Sequence, residues 1–168
     1  MKKVKFGVLF LIMFLICFSA FSIQPFAEHE NDGNNLSESA YRIIVNEKEI
    51  ETDDLPYQPY NRGDTVMVPL RKIAEALGYT VNWNAQTGAV TIDDDYIQKA
   101  TLYGDSAEVE FKGHLKIIDM SRQVEMEQQA IIYDGYTYVP LSFFREFFND
   151  AEVNDMVITV APSKNELA

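Results

Sequence analysis

The tripeptide Val-Pro-Leu occurs twice in this chain, at residues 68–70 and again at residues 139–141. In each copy a turn with glycine and threonine leads through a short β-branched or aromatic segment into the proline, and the apolar residues then change to helical spacing. Proline suits the start of a helix, because the first N–H groups there have no intrahelical partner. Each copy therefore predicts a strand, a proline and a helix, and the repetition indicates an internal duplication. Pro69 and Pro140 are interpreted as structural residues.

The helix predicted after the first proline has one apolar stripe. Its members recur at i, i+3, i+4 and i+7 and are Leu70, Ile73, Ala74 and Leu77. Gly78 predicts the end of this helix, since glycine adopts the left-handed conformation without a Cβ clash. Arg71 and Glu75 lie one turn apart and are expected to pair on the helix surface. Arg71 and Gly78 complete the predicted structural motif.

The helix predicted after the second proline has a wider apolar face. Its phenylalanines occupy positions i, i+1, i+4 and i+5 and are Phe143, Phe144, Phe147 and Phe148. Such a face either enters a thicker core or stays exposed for a partner. If the two copies are equivalent halves of one core, Leu77 and Phe148 are both buried on helix faces.

The residues around the first copy carry a family resemblance. Segments 57–65, 67–78, 81–84 and 89–92 combine V-P-L-R, E-A-L-G, a tryptophan after a short strand and a closing T-I strand. This pattern resembles the copper amine oxidase N-terminal-like domain, also called the stalk domain. The second copy departs from it at Ser142, at Asn149 and Asp150, and at Asp155. The resemblance covers roughly residues 41 to 161 and implies an accessory domain of secreted and surface proteins of Gram-positive bacteria.

The chain divides into four predicted parts. Residues 1–27 are a signal peptide, 28–40 a flexible tether, 41–161 the folded domain and 162–168 a polar tail. The apolar content of 47% and a domain of about 120 residues support one hydrophobic core. The predicted fold class is α+β: a strand-rich single domain of two pseudo-repeats, about 41–93 and 97–161, each with strands, a helix and a hairpin.

The first residues are typical of a secretory leader. Lys2, Lys3 and Lys5 precede an uncharged apolar segment, residues 6–21, after which polar residues resume. Cleavage is expected after Ser22 or after Ala27, and the alternative is a leader retained as a membrane anchor. The predicted location is outside the cell or on its envelope, with no transmembrane segment in the mature chain.

The charge of the chain excludes several partners. The formal net charge is −12, and it becomes −15 when the leader is removed, because three lysines and no acid leave with it. Binding to a phosphate backbone requires clustered lysine and arginine, so nucleic acid is excluded as a partner. Anionic membranes and anionic wall polymers are disfavoured for the same reason.

Residues suited to catalysis are few. The two histidines are His29, in the tether, and His114, beside a glycine, while the single cysteine, Cys17, lies in the leader. These residues predict neither a nucleophilic triad nor a cofactor, and they provide no ligand set for copper. The three carboxylates of residues 93–95, Asp93, Asp94 and Asp95, could hold calcium or form an acid/base pair, but a solvated turn is the favoured interpretation. We therefore expect no enzyme, with a small carboxylate-dependent hydrolase as an alternative.

Aromatic side chains are the best functional indication. Tyr57 and Tyr60 flank a proline, Trp83 lies on a predicted hairpin, and three further tyrosines recur along a later turn and strand: Tyr133, Tyr136 and Tyr138. Core packing competes with recognition for all of these rings.

The predicted function is a secreted, non-catalytic binding or scaffolding module. Its contact residues are expected to be Tyr57, Tyr60 and Trp83, with Phe143 and Phe147 as a second contact. The expected partner is a cell-surface protein or a neutral glycan, and a secreted inhibitor of a partner enzyme is a further alternative. The sequence leaves the oligomeric state open.

Overall fold

A computed structural model describes residues 41–114 and 120–163 of the 168-residue chain. All of these residues belong to one compact unit, Asn35–Ala168. The predicted signal peptide, the tether, a strand predicted at residues 115–118 and most of the polar tail lie outside the described residues.

The described part of the chain is mostly β-structure with two short helices, as the sequence predicted. One is the α-helix α1 and the other is a 3-10 helix. No helix within residues 41–114 and 120–163 has the length and apolar character needed to cross a membrane. The elements, in chain order, are β1 Arg42–Val45, β2 Lys48–Ile50, β3 Tyr60–Arg62, β4 Thr65–Pro69, α1 Leu70–Ala76, β5 Thr80–Trp83, β6 Ala89–Asp93, β7 Gln98–Tyr103, β8 Glu108–Gly113, β9 Ser121–Glu125, β10 Ile131–Tyr133, β11 Tyr136–Pro140, the 3-10 helix Leu141–Phe147, β12 Asn149–Asn154 and β13 Val157–Pro162.

The strands form three sheets. The first has the order β12-β13-β1-β2, the second β10-β11-β4-β3, and the third is the five-stranded meander β5-β6-β7-β8-β9. Neighbouring strands are antiparallel except β1 and β13, which run parallel, so the first described strand is fixed against the last. The sequence did not predict β3 or β12. Strand β3 has three residues and β12 is mostly polar, so neither shows a clear alternation of apolar and polar residues in the sequence.

The two Val-Pro-Leu motifs meet in the second sheet. Strands β4 and β11 pair antiparallel, with Val68 opposite Val139 and Pro140 opposite Met67. Each proline is the last residue of its strand and the N-cap of the following helix. The sequence had placed the prolines inside the first helical turn. At a strand end proline costs little, because there the ladder needs no further N–H.

The core lies between the helices and the sheets. Phe143 and Phe147 leave only 1% and 4% of their surface exposed, and the ring centroids of Phe147 and Phe111 are 5.4 Å apart. Phe143 packs on Phe147 with centroids 5.6 Å apart. The wide apolar face of the second helix therefore enters the core. The expectation that Phe143 and Phe147 form a second contact surface is wrong, because β8 already covers these rings.

Phe148 differs from the sequence-based expectation. It lies just after the 3-10 helix in the left-handed region, with φ 57°, and 43% of its surface is exposed. Leu77, after α1, keeps a right-handed conformation and is half-buried, and Gly78 follows with φ 90°. Burial of Phe148 on a helix face was therefore a wrong prediction.

The neighbouring asparagine explains the exposure of Phe148. The Asn149 side chain is buried, and its amide donates to the carbonyl oxygens of Phe144 at 3.0 Å and Phe147 at 3.2 Å. These bonds satisfy carbonyl groups at the C-terminus of the 3-10 helix, which otherwise lack partners. Because Asn149 occupies the inward position where β12 begins, the ring of Phe148 is turned outward.

Tyr138 fixes the loop between β2 and β3. Its side chain is fully buried, and its hydroxyl donates to the Tyr57 carbonyl oxygen at 2.7 Å and accepts from the Tyr57 N–H at 3.2 Å. Burial raises the pKa of the Tyr138 phenol from 10.0 to about 12. This residue of β11 thus sets the position of Tyr57.

Truncation of two phenylalanines four residues apart is expected to destabilise the protein to very different extents. Phe144 is fully buried, so Phe144→Ala should lower the free energy of unfolding by about 3 to 5 kcal/mol. Phe148→Ala should lower it by less than about 1 kcal/mol, because the ring is already in contact with water. Urea titration of both variants measures the difference. Equal losses would contradict the outward position of Phe148.

Stability at alkaline pH should depend on Tyr138. A phenol whose pKa is higher in the folded state keeps its proton longer there, so its contribution is complete below about pH 10 and is lost as the pH rises towards about 12. Tyr138→Phe should cost about 1 to 2 kcal/mol near neutral pH and should weaken this alkaline decline. Urea titrations across this range, with Tyr96→Phe as the exposed control, test the prediction. An unchanged decline in Tyr138→Phe would refute it.

Candidate functional site

Four tyrosines form one partly exposed aromatic surface, here called the tyrosine surface: Tyr57, Tyr60, Tyr133 and Tyr136. The ring centroids of Tyr57 and Tyr133 lie 4.5 Å apart, and those of Tyr57 and Tyr60 lie 6.4 Å apart. Tyr138 lies beneath them, 5.9 Å from Tyr60. The structure therefore brings together two of the predicted contact residues, Tyr57 and Tyr60, with tyrosines of the second copy.

A tight hairpin presents the second half of this surface. Asp134 and Gly135 join β10 to β11 with φ values of 49° and 79°, as a two-residue type I′ turn requires. Tyr133 and Tyr136 are directly opposite each other across this hairpin, so their side chains share one face. The Tyr136 hydroxyl donates to the Asp54 carbonyl oxygen at 3.3 Å and links the hairpin to the loop that carries Tyr57.

Trp83 borders a groove that reaches one member of the tyrosine surface. It ends β5, is 60% exposed and lines this groove of about 390 Å³ together with Ile132, Tyr136 and Thr137. Along β10 and β11 the side chains alternate between faces, so Ile132 and Thr137 point away from the side that carries Tyr133. Tyr57 thus packs on Tyr133, whereas Trp83 lies by the groove with Ile132 and Tyr136.

Arg71 lines this groove and connects α1 to β5. One nitrogen of its guanidinium donates to the Glu75 carboxylate at 3.0 Å and to the Val81 carbonyl oxygen at 2.9 Å. The predicted surface pair with Glu75 is confirmed, and the bond to β5 adds a connection between two elements. Gly78, at φ 90°, then turns the chain from α1 into that strand.

The rings of the tyrosine surface are neutral, and charges of both signs lie around them, with Arg62 acting on Tyr60 and Lys72 paired with Asp54. Burial raises the pKa of Tyr60, so this phenol stays uncharged well above neutral pH. Asp54 pairs with Lys72 at 2.7 Å, and hydrogen bonding from Lys72 lowers the pKa of Asp54. Asp134 lies exposed in the hairpin turn. The surface therefore offers uncharged aromatic area with the exposed carboxylate of Asp134 at one edge.

A second cluster contains the acidic run that the sequence singled out. Potential ligand atoms of Asp93, Asp94 and His114 all lie within 4.8 Å of one another, and His114 Nε2 is 2.7 Å from the Asp93 carboxylate. The sequence gave no sign of this contact. It arises because β7 and β8 pair Gln98 with Gly113 and so bring His114 to the loop after β6.

The Asp94 carboxylate has a structural role in this loop. One of its oxygens accepts the backbone N–H groups of residues 96, 97 and 98 at 2.9, 2.7 and 3.0 Å. Asp94 is buried, which differs from the solvated turn that the sequence favoured. One imidazole and two carboxylates, of which one is already held by three amides, form a poor donor set for copper.

The geometry gives little support to the hydrolase alternative. Asp94 lines a surface depression together with Tyr79 and Phe147, where no second carboxylate of the described residues accompanies it. Asp95 accepts a bond from Thr80 at 3.3 Å. Within the described residues, the hydrogen-bond partner of the His114 ring is Asp93, and no serine hydroxyl is paired with it. A nucleophile activated by histidine is therefore not assembled in this part of the chain.

Comparison with known proteins gives one family and one relative. The family model described as copper amine oxidase N-terminal domain matches residues 44–156, more than half of the chain. A Brevibacillus choshinensis protein named "Protease inhibitor" is 33% identical over 106 residues, which is 62% of this chain and 29% of that protein. The chain thus spans less than a third of the length of this relative. No solved structure matches the chain. On the strength of the family match, the chain belongs to the copper amine oxidase N-terminal domain family.

Proposed function

We propose that this chain is a non-catalytic module that binds another protein through the tyrosine surface. The observation that carries the proposal is the convergence of tyrosines from two separate segments on one partly exposed face. Tyrosine is enriched at protein interfaces, since its ring buries much area and its hydroxyl can pair at the edge.

The rigidity of the tyrosine surface supports this role. Tyr138 bonds both backbone groups of Tyr57, and the Tyr136 hydroxyl is bonded to the same loop. The rings are therefore held in place before a partner arrives. A preorganised surface loses less conformational entropy on binding, which leaves more of the contact energy as affinity.

Charge favours a protein partner over the neutral glycan that remains the other option. The chain has a net charge of −12, and the exposed Asp134 lies in the turn between Tyr133 and Tyr136. A negative field of this kind attracts a basic protein surface and accelerates encounter with it. A neutral glycan gains nothing from this charge.

We also infer export and a duplicated origin. The lysines at the start of the chain and the uncharged residues 6–21 support a signal peptide and a location outside the cell or on its envelope. Val68 and Val139, which correspond in the two Val-Pro-Leu motifs, lie directly opposite each other, which supports two pseudo-repeats joined at their equivalent strands.

Inhibition of a protease is the second candidate function. The observation that favours it is the printed name of the Brevibacillus choshinensis relative, "Protease inhibitor", which shares 33% identity with this chain. An inhibitor is a protein-binding module whose partner is an enzyme. The tyrosine surface serves both candidates, and they differ in whether binding stops catalysis.

Loss of one exposed ring should weaken partner binding. Tyr133→Ala removes the ring that packs on Tyr57, and capture of a cross-linked partner from intact cells should fall by at least about tenfold. Tyr103→Ala is the matched control, because Tyr103 is 47% exposed, as against 46% for Tyr133, and lies on the third sheet. Quantitative mass spectrometry of the captured protein provides the measurement.

Two outcomes would overturn this assignment. Equal loss in Tyr103→Ala would show that the effect is not specific to the tyrosine surface. Undiminished capture by a Tyr133→Ala protein with a wild-type circular dichroism spectrum would exclude the surface as the site. Capture of a glycan alone would exclude a protein partner.

The inhibitor candidate predicts stoichiometric inhibition. Titration of the chain into a serine, a cysteine and a metalloprotease should abolish the activity of one class, and Tyr133→Ala should raise the inhibition constant by about tenfold. Initial rates with a peptide substrate measure this. Cleavage of the chain without inhibition, in all three assays, would show that it is a substrate and would remove this candidate.

A further inference from the structure

The groove beside Trp83 has the size of a site for a small ligand. Its volume of about 390 Å³ falls within the range that is typical of ligand pockets, about 300 to 1,000 Å³. Three parts of the fold contribute to its walls: the strands β5 and β6, the first residues of α1, and the hairpin of β10 and β11. The groove therefore lies where α1 meets the second and third sheets, and it has room for one ring of a larger ligand.

One part of this groove is apolar and ends in an aromatic ring. Val81, Val90 and Ile132 line it, together with the largely exposed indole of Trp83. The face of an indole carries the negative part of the ring quadrupole, so C–H groups with a small positive charge pack on it favourably. A saturated ring with C–H groups on its faces therefore suits this part of the groove.

Arg71 supplies free hydrogen-bond donors to the same groove. A guanidinium has five N–H groups, and both hydrogen bonds of Arg71, to the Glu75 carboxylate and the Val81 carbonyl oxygen, use Nη1. The N–H groups of Nε and Nη2 therefore have no partner in the described part of the chain. Half of this side chain is exposed, so these donors can reach a bound molecule. Thr137 adds a hydroxyl group from β11.

The charge of Arg71 is already balanced within the domain. The Glu75 carboxylate lies 3.0 Å from Nη1, and the whole chain has a net charge of −12. A ligand with a carboxylate or phosphate would approach Glu75 and would be repelled by the negative field of the chain. The free donors of Arg71 therefore suit uncharged acceptors, such as hydroxyl oxygens.

We propose that this groove binds a neutral sugar ring of a glycan. The C–H face of the ring packs on Trp83, and its hydroxyl oxygens accept hydrogen bonds from Nε and Nη2 of Arg71 and from Thr137. A pyranose fits both parts of the groove, because it has an apolar face and a rim of hydroxyl groups. A proline-rich peptide, which aromatic grooves also bind, offers only backbone carbonyls to these donors. The groove shares Tyr136 with the tyrosine surface, but sugar binding does not depend on a protein bound there.

Trp83 permits a direct test, because it is the single tryptophan of the chain. Its fluorescence is followed while a trisaccharide is added to the full chain. Two probes are neutral, cellotriose and triacetylchitotriose, and the third, trigalacturonic acid, carries carboxylates. One or both neutral probes should change the emission in a saturable way, and the acid should bind at least about fivefold more weakly. Absence of a saturable change with both neutral probes, or equal binding of the acid, would overturn the proposal.

Matched variants show whether the sugar occupies this groove. Trp83→Ala removes the ring on which the sugar packs, so calorimetry should show at least about a tenfold loss of affinity for the neutral trisaccharide. Tyr96→Ala is the control, because Tyr96 is an even more exposed aromatic residue and lies in the loop between β6 and β7. It should bind the sugar as the wild type does. Undiminished binding by a folded Trp83→Ala protein would exclude the groove.

Two further measurements address other ligands and the other surface. The blocked peptide Pro-Pro-Ala-Pro-Pro should leave the emission of Trp83 unchanged. Saturable binding of this peptide in competition with the trisaccharide would assign the groove to a protein ligand and overturn the proposal. Tyr133→Ala should bind the trisaccharide normally, so failure of the tyrosine surface and failure of the groove can be told apart. Loss of sugar binding in a folded Tyr133→Ala protein would place the sugar on the tyrosine surface instead.

Discussion

The antiparallel pairing of β4 with β11 is the constraint on which the rest of this domain depends. Val68 and Val139 face each other across it, and each strand ends in a proline that is also the N-cap of a helix. Both helices therefore leave the same sheet at adjacent points and bury their apolar faces in one core. Because the side chains of a strand alternate, the same strand that sends Val139 into this core sends Tyr138 to the opposite face. The core and the candidate site therefore lie on opposite faces of the paired strands β4 and β11.

Tyr138 shows how this arrangement orders the tyrosine surface. A buried phenol needs partners for its hydroxyl, and the backbone of Tyr57 supplies both a donor and an acceptor. The loop between β2 and β3, which has no regular structure of its own, is thereby ordered against β11. The entropy of ordering this loop is lost during folding, so the partly buried ring of Tyr57 and the exposed ring of Tyr133 are already in place on the proposed binding surface.

Patterns among neighbouring residues predicted much of the fold. Features that depend on pairing between distant segments could not be predicted from the sequence. The Val-Pro-Leu motifs, the stripe through Leu70 and Leu77 and the glycine at position 78 located both helices, since these depend on neighbours in sequence. The left-handed conformation of Phe148 was not predicted, because it follows from the hydrogen bonds of the buried Asn149 amide, and the spacing of apolar residues does not reveal these bonds. The contact of His114 with Asp93 was not predicted either, because it follows from the pairing of β7 with β8. For the candidate site, the sequence named Tyr57, Tyr60 and Trp83 as one set. It could not show that Tyr57 packs on Tyr133 while Trp83 borders the groove with Ile132 and Tyr136, because these contacts depend on strand pairing.

The acidic cluster is better understood as a support for the neighbouring loop than as a catalytic group. A carboxylate that transfers protons or holds a metal needs free oxygen atoms, and one oxygen of Asp94 already accepts three backbone N–H groups. Those bonds shape the segment that carries Tyr96 and Ile97, while His114 holds the adjacent Asp93 and donates its own backbone N–H to Ile97 at 2.8 Å. Loss of these hydrogen bonds would loosen the loop after β6, which joins two paired strands of the third sheet. The charged residues that first suggest an enzyme therefore have, by their hydrogen bonds, a structural role in this loop.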